Sequence, residues 1–214
     1  MTIEEIQIQL DGARSFRHYD NENWERFFLQ QKKEFTYPYV VVTGSNGKED
    51  VAYYLSSIEK EAGYVVGYFG VSRVLPSKND IQVNGKAIPD GDFVRIYSQY
   101  EQDFRRFSLS DFEILLWISL VFFEEQNVSL AILVAGMGGQ NDATNLPRHN
   151  PLLVIITSVS LEHTAVLGTT LSEIATEKAG LLKERGQCLI GHLPDAASEA
   201  VRLEAQKKRA SVFT

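Results

Sequence analysis

The residues with most to offer chemistry lie in the segment Val42-Thr43-Gly44-Ser45-Asn46-Gly47-Lys48. An apolar run from Tyr39 to Val42 ends in a glycine turn, and a lysine then opens what reads as a helix. These are the parts of a phosphate cradle. Backbone N–H groups of the turn and the helix N-terminus face an anion, and the lysine adds a point charge. The candidate anion-binding residues are Gly44, Ser45, Asn46, Gly47 and Lys48. The strict pattern G-x-x-x-x-G-K-[ST] is not met, because Val42 holds the first glycine position and Glu49 follows the lysine. An ordinary strand-to-helix turn fits the same residues.

Elements on either side must position that loop. Tyr39 to Val42 reads as a buried strand, and Val51, Leu55 and Ile58 have helical spacing up to Gly63. A second strand runs from Tyr64 to Phe69. Asn84-Gly85 between two short β-type segments predicts a hairpin. Asp90 is a candidate cap for a helix from about Asp92 to Arg106, and Ser110-Asp111 caps another that is apolar all round. Within it Glu113 is unusual, since a buried carboxylate needs a partner, and a loop such as the phosphate cradle is the expected one. Strands follow at Leu130 to Val134, Leu152 to Ile156 and Gln187 to Ile190, with helices at Leu171 to Lys183 and Asp195 to Lys208 and a last strand from Ser211.

Alternating strands and helices predict an α/β fold with a mainly parallel sheet flanked by helices. In such sheets ligands bind beyond the carboxyl ends of the strands, so the loops at 43–48, 135–145 and 157–163 should lie together. One domain fits residues 1–214, with 1–36 a helical lead-in.

Composition narrows the function classes. The 214 residues carry a net charge of −7 without a Lys/Arg cluster, a poor match to nucleic-acid binding. The single cysteine, Cys188, allows no internal disulfide and no paired zinc ligands, and it reads as a small strand residue. The acidic, polar N-terminus is unlike a signal peptide, and the longest apolar run, within Phe112–Phe123, is too short to span a bilayer. The expectation is a cytoplasmic protein. Trp24 and Trp117 read as packing residues.

Six motifs, met in order along the chain, carry a family resemblance. The first loop resembles the G-T-N-G-K-G-S loop of folylpolyglutamate and dihydrofolate synthases, of the Mur-ligase superfamily. Ala62-Gly63-Tyr64-Val65-Val66-Gly67 resembles the family's A-G-Y-x-V-G, and Phe112-Glu113 its F-E helix start. Gly136-Met137-Gly138-Gly139 with Asp142-Ala143-Thr144-Asn145 resembles G-L-G-G-R-x-D-A-T-N. Ile156-Thr157-Ser158 with Glu162-His163-Thr164 and Leu167-Gly168 resembles I-T-S-I-x-x-D-H-x-x-x-L-G, and Ile174-Ala175-Thr176-Glu177-Lys178-Ala179-Gly180 resembles I-A-x-E-K-A-G.

The resemblance implies a P-loop-containing, Mur-ligase-like central domain that uses ATP and Mg2+ to join glutamate to a folate or dihydropteroate. The substrate carboxylate is phosphorylated, and the amine then displaces phosphate. It implies nucleotide-binding roles for Gly44, Ser45, Asn46, Gly47, Lys48 and Asn145. It makes His163 a metal ligand, and places His163 and Lys178, by family a carbamylated lysine, in the catalytic set. Asp142-Ala143-Thr144-Asn145 equally suits a turn, because Asp and Asn side chains bond their own backbone.

Four departures point the other way. The family's G-S after the loop lysine is Glu49-Asp50 here, its S-P-H segment falls at Val71-Ser72-Arg73, its metal-bridging glutamate at Val134, and the arginine of G-G-R at Gln140. Valine offers no oxygen to a hard cation. A carboxylate ~4 Å from a phosphate charge costs about 4 kcal/mol at an effective dielectric of ~20, roughly a thousandfold in affinity. Asp50 is the residue placed to capture a cation in compensation, which makes it a second candidate metal ligand. The family also has a domain after the ATPase domain, and the chain stops at Thr214, inside the expected ATPase domain. The resulting expectation is a degenerate paralogue or fragment with impaired ligation, without the C-terminal ligase domain and with a protein as its possible partner. The alternative is a working ligase completed by a missing domain or another chain.

Overall fold

The structure is a computed structural model that describes residues 2–13, 21–70 and 77–214. Two helices lead in, α1 (Ile3–Gly12) and α2 (Glu22–Gln31). There follow β1 (Tyr39–Thr43), α3 (Lys48–Glu61), β2 (Val66–Phe69), a 3-10 turn (Lys78–Asp80), β3 (Ile81–Val83) and β4 (Lys86–Ala87). Next come α4 (Asp90–Arg106), α5 (Asp111–Glu125), β5 (Leu130–Val134) and β6 (Leu153–Ile156). The chain finishes with α6 (Thr164–Leu167), α7 (Leu171–Ala179), β7 (Gln187–Ile190), α8 (Asp195–Lys207) and β8 (Ser211–Phe213).

The strands form one sheet in the order β4-β3-β2-β5-β1-β6-β7-β8. Pairing is parallel from β2 through to β8, and only β3 and β4 run antiparallel. The expected α/β architecture is therefore what the chain adopts. From β1 the chain crosses β5 to reach β2 on one side, and later lays β6 on the other. That reversal makes the carboxyl end of β1 the switch point where a crevice opens.

Side-chain alternation along β1 divides the interior. Tyr39 and Val41 join the larger core, which takes in α1, α2, α4 and α5. Val40 and Val42 face the opposite way and pack with Ala52 of α3 and with Ile132 and Val134 of β5. Ten consecutive residues of α5, Ile114 to Phe123, are buried, as its uniform apolar content requires. Trp24 and Trp117 are fully buried in an aromatic cluster with Phe27, Phe28 and Phe35. Asn84 and Gly85 both take positive φ, which is what a two-residue hairpin turn needs.

Several details differ from expectation. Asp90 is not a cap. It lies within α4, whose N-cap is Pro89, and pairs with Lys78 at 2.7 Å. Helix α7 stops at Ala179 instead of Lys183, and α6 was not foreseen. The helical periodicity of Val51, Leu55 and Ile58 is real, but Val51 and Ile58 are exposed and only Ala52 of α3 is buried. The Glu113 carboxylate accepts from the Ser110 backbone and hydroxyl, both at 2.7 Å, completing a capping box for α5.

Candidate functional site

Strands β5, β1 and β6 lie side by side, and the loops from their carboxyl ends meet. Thr43 donates its hydroxyl to the Gly138 carbonyl at 2.6 Å, joining the first and second loops. The first and third loops are bound more tightly. Ser45 N–H donates to the Ser158 carbonyl at 3.0 Å, and Asn46 N–H to Ser158 Oγ at 2.9 Å. Thr157 Oγ1 donates to the Asn46 carbonyl at 2.6 Å, and Ser160 N–H to Ser45 Oγ at 3.0 Å. Gly44 makes this possible. Its φ is +150°, and a Cβ there would lie 2.0 Å from Thr157 Oγ1. Gly47, left-handed at φ 76°, turns the chain into α3, and Lys48 begins that helix.

Behind the loops lies the one lysine that is almost wholly buried. Lys178 on α7 has a side chain 1% exposed, and its ammonium donates to Glu162 Oε1 at 2.8 Å. Burial pushes the Lys178 ammonium below its ordinary pKa, opposed by the bond and charge of Glu162 and assisted by the charge of Lys48. Burial works to raise the Glu162 carboxyl, but Lys178, the Ser45 hydroxyl and Lys48 outweigh it and hold the group below the usual carboxylate range. Glu162 is thus an internal anion facing two lysines and the loop serine. In this geometry Lys178 is a paired ammonium.

The second loop is organised around Asp142. It is buried, and its carboxylate accepts from Met137 N–H, Thr144 N–H and the Thr144 hydroxyl at 2.9, 2.9 and 2.6 Å. Burial raises its pKa despite these bonds. The turn reading of Asp142 to Asn145 accounts for these contacts. Asn145 donates to the Gln140 carbonyl at 2.8 Å, while its buried Oδ1 has no partner among the described residues. Gln140 and Asn141 are tied by their N–H groups to Glu177, the neighbour of Lys178.

The departures from the family pattern can now be placed. Val134 is 0% exposed and packs against Val40, Val42 and Ala52, so apolar contacts fill the position. Glu49 accepts from the Tyr68 hydroxyl at 2.8 Å. Burial, and then the Glu49 charge, push the Tyr68 phenol far up. Asp50 is exposed in the first turn of α3, and His163 is exposed as the N-cap of α6 with φ 45°. Val71-Ser72-Arg73 lies outside the described residues. Among the described residues, no group of three or more His, Cys, Asp and Glu side chains is arranged to hold a metal ion. Asp50 and His163 therefore belong to no such cluster. The fit to a phosphate chain is partial. Gly47, Lys48 and the start of α3 are in place, but two loop N–H groups are spent on Ser158.

The sequence singles out Gly44, Ser45, Asn46, Gly47, Lys48, Asp50, Asn145, His163 and Lys178. That reading misses Ser158 and Glu162 as the residues that tie the first of these together. The signal was available for Glu162: a glutamate where the motif has aspartate is one methylene longer.

An α/β sheet with a glycine-lysine loop at the switch point defines the class, a Mur-ligase-like P-loop domain. Comparison makes it specific. A dihydrofolate synthase/folylpolyglutamate synthase of Bacillus subtilis is 32% identical over 176 residues, 79% of this chain and 40% of that protein. Dihydrofolate synthetase of Saccharomyces cerevisiae is 36% identical over 146 residues, 67% of this chain and 34% of that protein. The structure of Escherichia coli FolC in complex with DHPP and ADP superposes with a TM-score of 0.89 at 25% identity, over 99% of this chain and 51% of that one. Mycobacterium tuberculosis folylpolyglutamate synthase complexed with ADP shares the fold, with a TM-score of 0.86 at 24% identity over 98% of this chain and 49% of that one. No protein-family model matches the chain. The chain belongs to the dihydrofolate synthase/folylpolyglutamate synthase family, and it spans about 40% of the length of the curated relatives it matches.

Proposed function

We propose that this chain is a folylpolyglutamate/dihydrofolate synthase-like nucleotide domain in which ATP- and Mg2+-driven amide ligation is impaired. The observation that carries this reading is Val134, fully buried among Val40, Val42 and Ala52 where the family pattern has a metal-bridging glutamate. An apolar side chain offers a hard cation no oxygen. Two further features support the reading: the engagement of Glu49 with Tyr68, and the use of two loop N–H groups by Ser158.

A second reading has its own support. Gly44, Gly47 and Lys48 keep the cradle shape, and Asn145 Oδ1 is a buried acceptor without a partner among the described residues. These favour retained nucleotide binding, with a folate or dihydropteroate as substrate, in a ligase completed by a further domain or chain.

Calorimetric titration with ATP, with and without magnesium, separates the two. The first reading expects no magnesium-dependent binding at micromolar ATP. Micromolar, magnesium-dependent binding that Lys48→Ala removes would establish the second and sink the first.

A further inference from the structure

Away from the nucleotide loops, two arginines share one aromatic ring. Three other arginines are held in ion pairs. Arg95 lies against Glu125 and Asp92, Arg105 against Glu101, and Arg209 against Glu184. Arg26 on α2 and Arg106 in the last turn of α4 have no ion pair among the described residues. Both guanidiniums lie over one ring, that of Phe107, at 5.9 and 5.5 Å from its centroid. Asp103, on the preceding turn of α4, makes no ion pair with either among the described residues. It accepts instead from Gln30 and Gln31 of α2, at 3.4 and 3.0 Å.

The ring beneath the two arginines is fixed. Phe107 is 8% exposed and meets Phe27 edge-on at a centroid distance of 5.9 Å. Each cation gains from the ring face, but two like charges on one platform repel. Together with Asn23, Leu29 and Gln30 these residues wall a groove of about 470 Å³. That volume falls in the range of small-molecule sites, roughly 300–1,000 Å³. Leu29 is an exposed apolar wall, and Asn23 and Gln30 add hydrogen-bonding amides. A planar guanidinium matches a carboxylate or phosphate through two parallel N–H bonds, and a pair of them favours a group with several oxygens.

We infer that the groove between α2 and the end of α4 binds a small organic oxyanion, a phosphate or carboxylate held by Arg26 and Arg106 with its apolar body against Leu29 and Phe107. This site is built from elements other than the β1, β5 and β6 loops and does not depend on nucleotide binding there.

The test is titration of the full, isotopically labelled chain with phenyl phosphate, benzoate and inorganic phosphate, followed by backbone amide shifts. Phenyl phosphate is expected to move the amides of 23–30 and 106–107 and to bind more tightly than inorganic phosphate, since only it has a ring for Leu29 and Phe107. Tighter binding of phenyl phosphate than benzoate identifies a phosphate ester as the natural class, and the reverse identifies a carboxylate. Arg26→Gln and Arg106→Gln change exposed side chains, and each is expected to weaken binding about tenfold, the worth of one charge-assisted bond. Lys48→Ala is expected to leave this binding unchanged. Shifts confined to residues 43–48, or undiminished affinity in the doubly substituted chain, would overturn the inference.

Discussion

Replacing Glu162 by glutamine tests the internal ion pair. It removes the counter-ion from an ammonium whose side chain is 1% exposed, while Glu162 itself is 23% exposed. Deleting one partner of a buried pair costs about 3–5 kcal/mol, and water reaching the Glu162 side brings the expectation to the lower end, about 3 kcal/mol. For a chain of this length that is a fall in melting temperature of roughly 6–12 °C. The pH dependence is more diagnostic. Lys178 titrates below its ordinary value of 10.5 in the folded chain. The unfolded chain therefore binds more protons between the two values, and stability rises with pH across that window. Removing Glu162 deletes the interaction that pulls the lysine up, while Lys48 still pushes it down, so the window widens toward neutrality. Glu162→Gln should thus gain more stability than the parent as pH rises toward 10.5. On the acid side the sign reverses. Glu162 titrates below 4.5 when folded, so its contribution is complete above that value and lost as pH falls through the folded pKa. The variant should lack that loss. Urea unfolding read by the buried Trp24 and Trp117 measures both limbs. A variant within about 1 kcal/mol of the parent near neutrality, with the same pH slope, would refute the reasoning.

Two more predictions concern the same architecture. Gly44→Ala places a methyl 2.0 Å from Thr157 Oγ1 at a φ of +150°, and should cost about 3 kcal/mol or more through overpacking and backbone strain. Denaturant unfolding checks it, and a cost under about 1 kcal/mol would mean that the first and third loops are not locked together. Cys188 is buried in β7 and burial pushes its thiol up to about 12, so the folded chain should resist a disulfide reagent near neutral pH and react on unfolding. Reaction of the folded chain at the rate of a free thiol would contradict that placement.

Much of the fold could be read from the residues alone, because local signals and burial demand the same thing. Apolar runs at Tyr39 to Val42 and Leu130 to Val134 became central strands, the largely apolar stretch after Ser110 became the buried helix α5, and Asn84-Gly85 became a hairpin turn. The glycine-lysine loop and its place at the carboxyl end of β1 followed from the same alternation. Periodicity could not say which face of α3 is covered, since Val51, Leu55 and Ile58 form a stripe whether or not anything packs on it. Nor could it find partners for polar side chains. That Glu162 would take Lys178, and that Ser158 would take the N–H groups of Ser45 and Asn46, depend on distances between segments up to 113 residues apart. Hydrophobic pattern is a property of neighbours along the chain and survives in the sequence. The pairing of charges is set by a few ångströms between distant loops, and only the folded chain decides it.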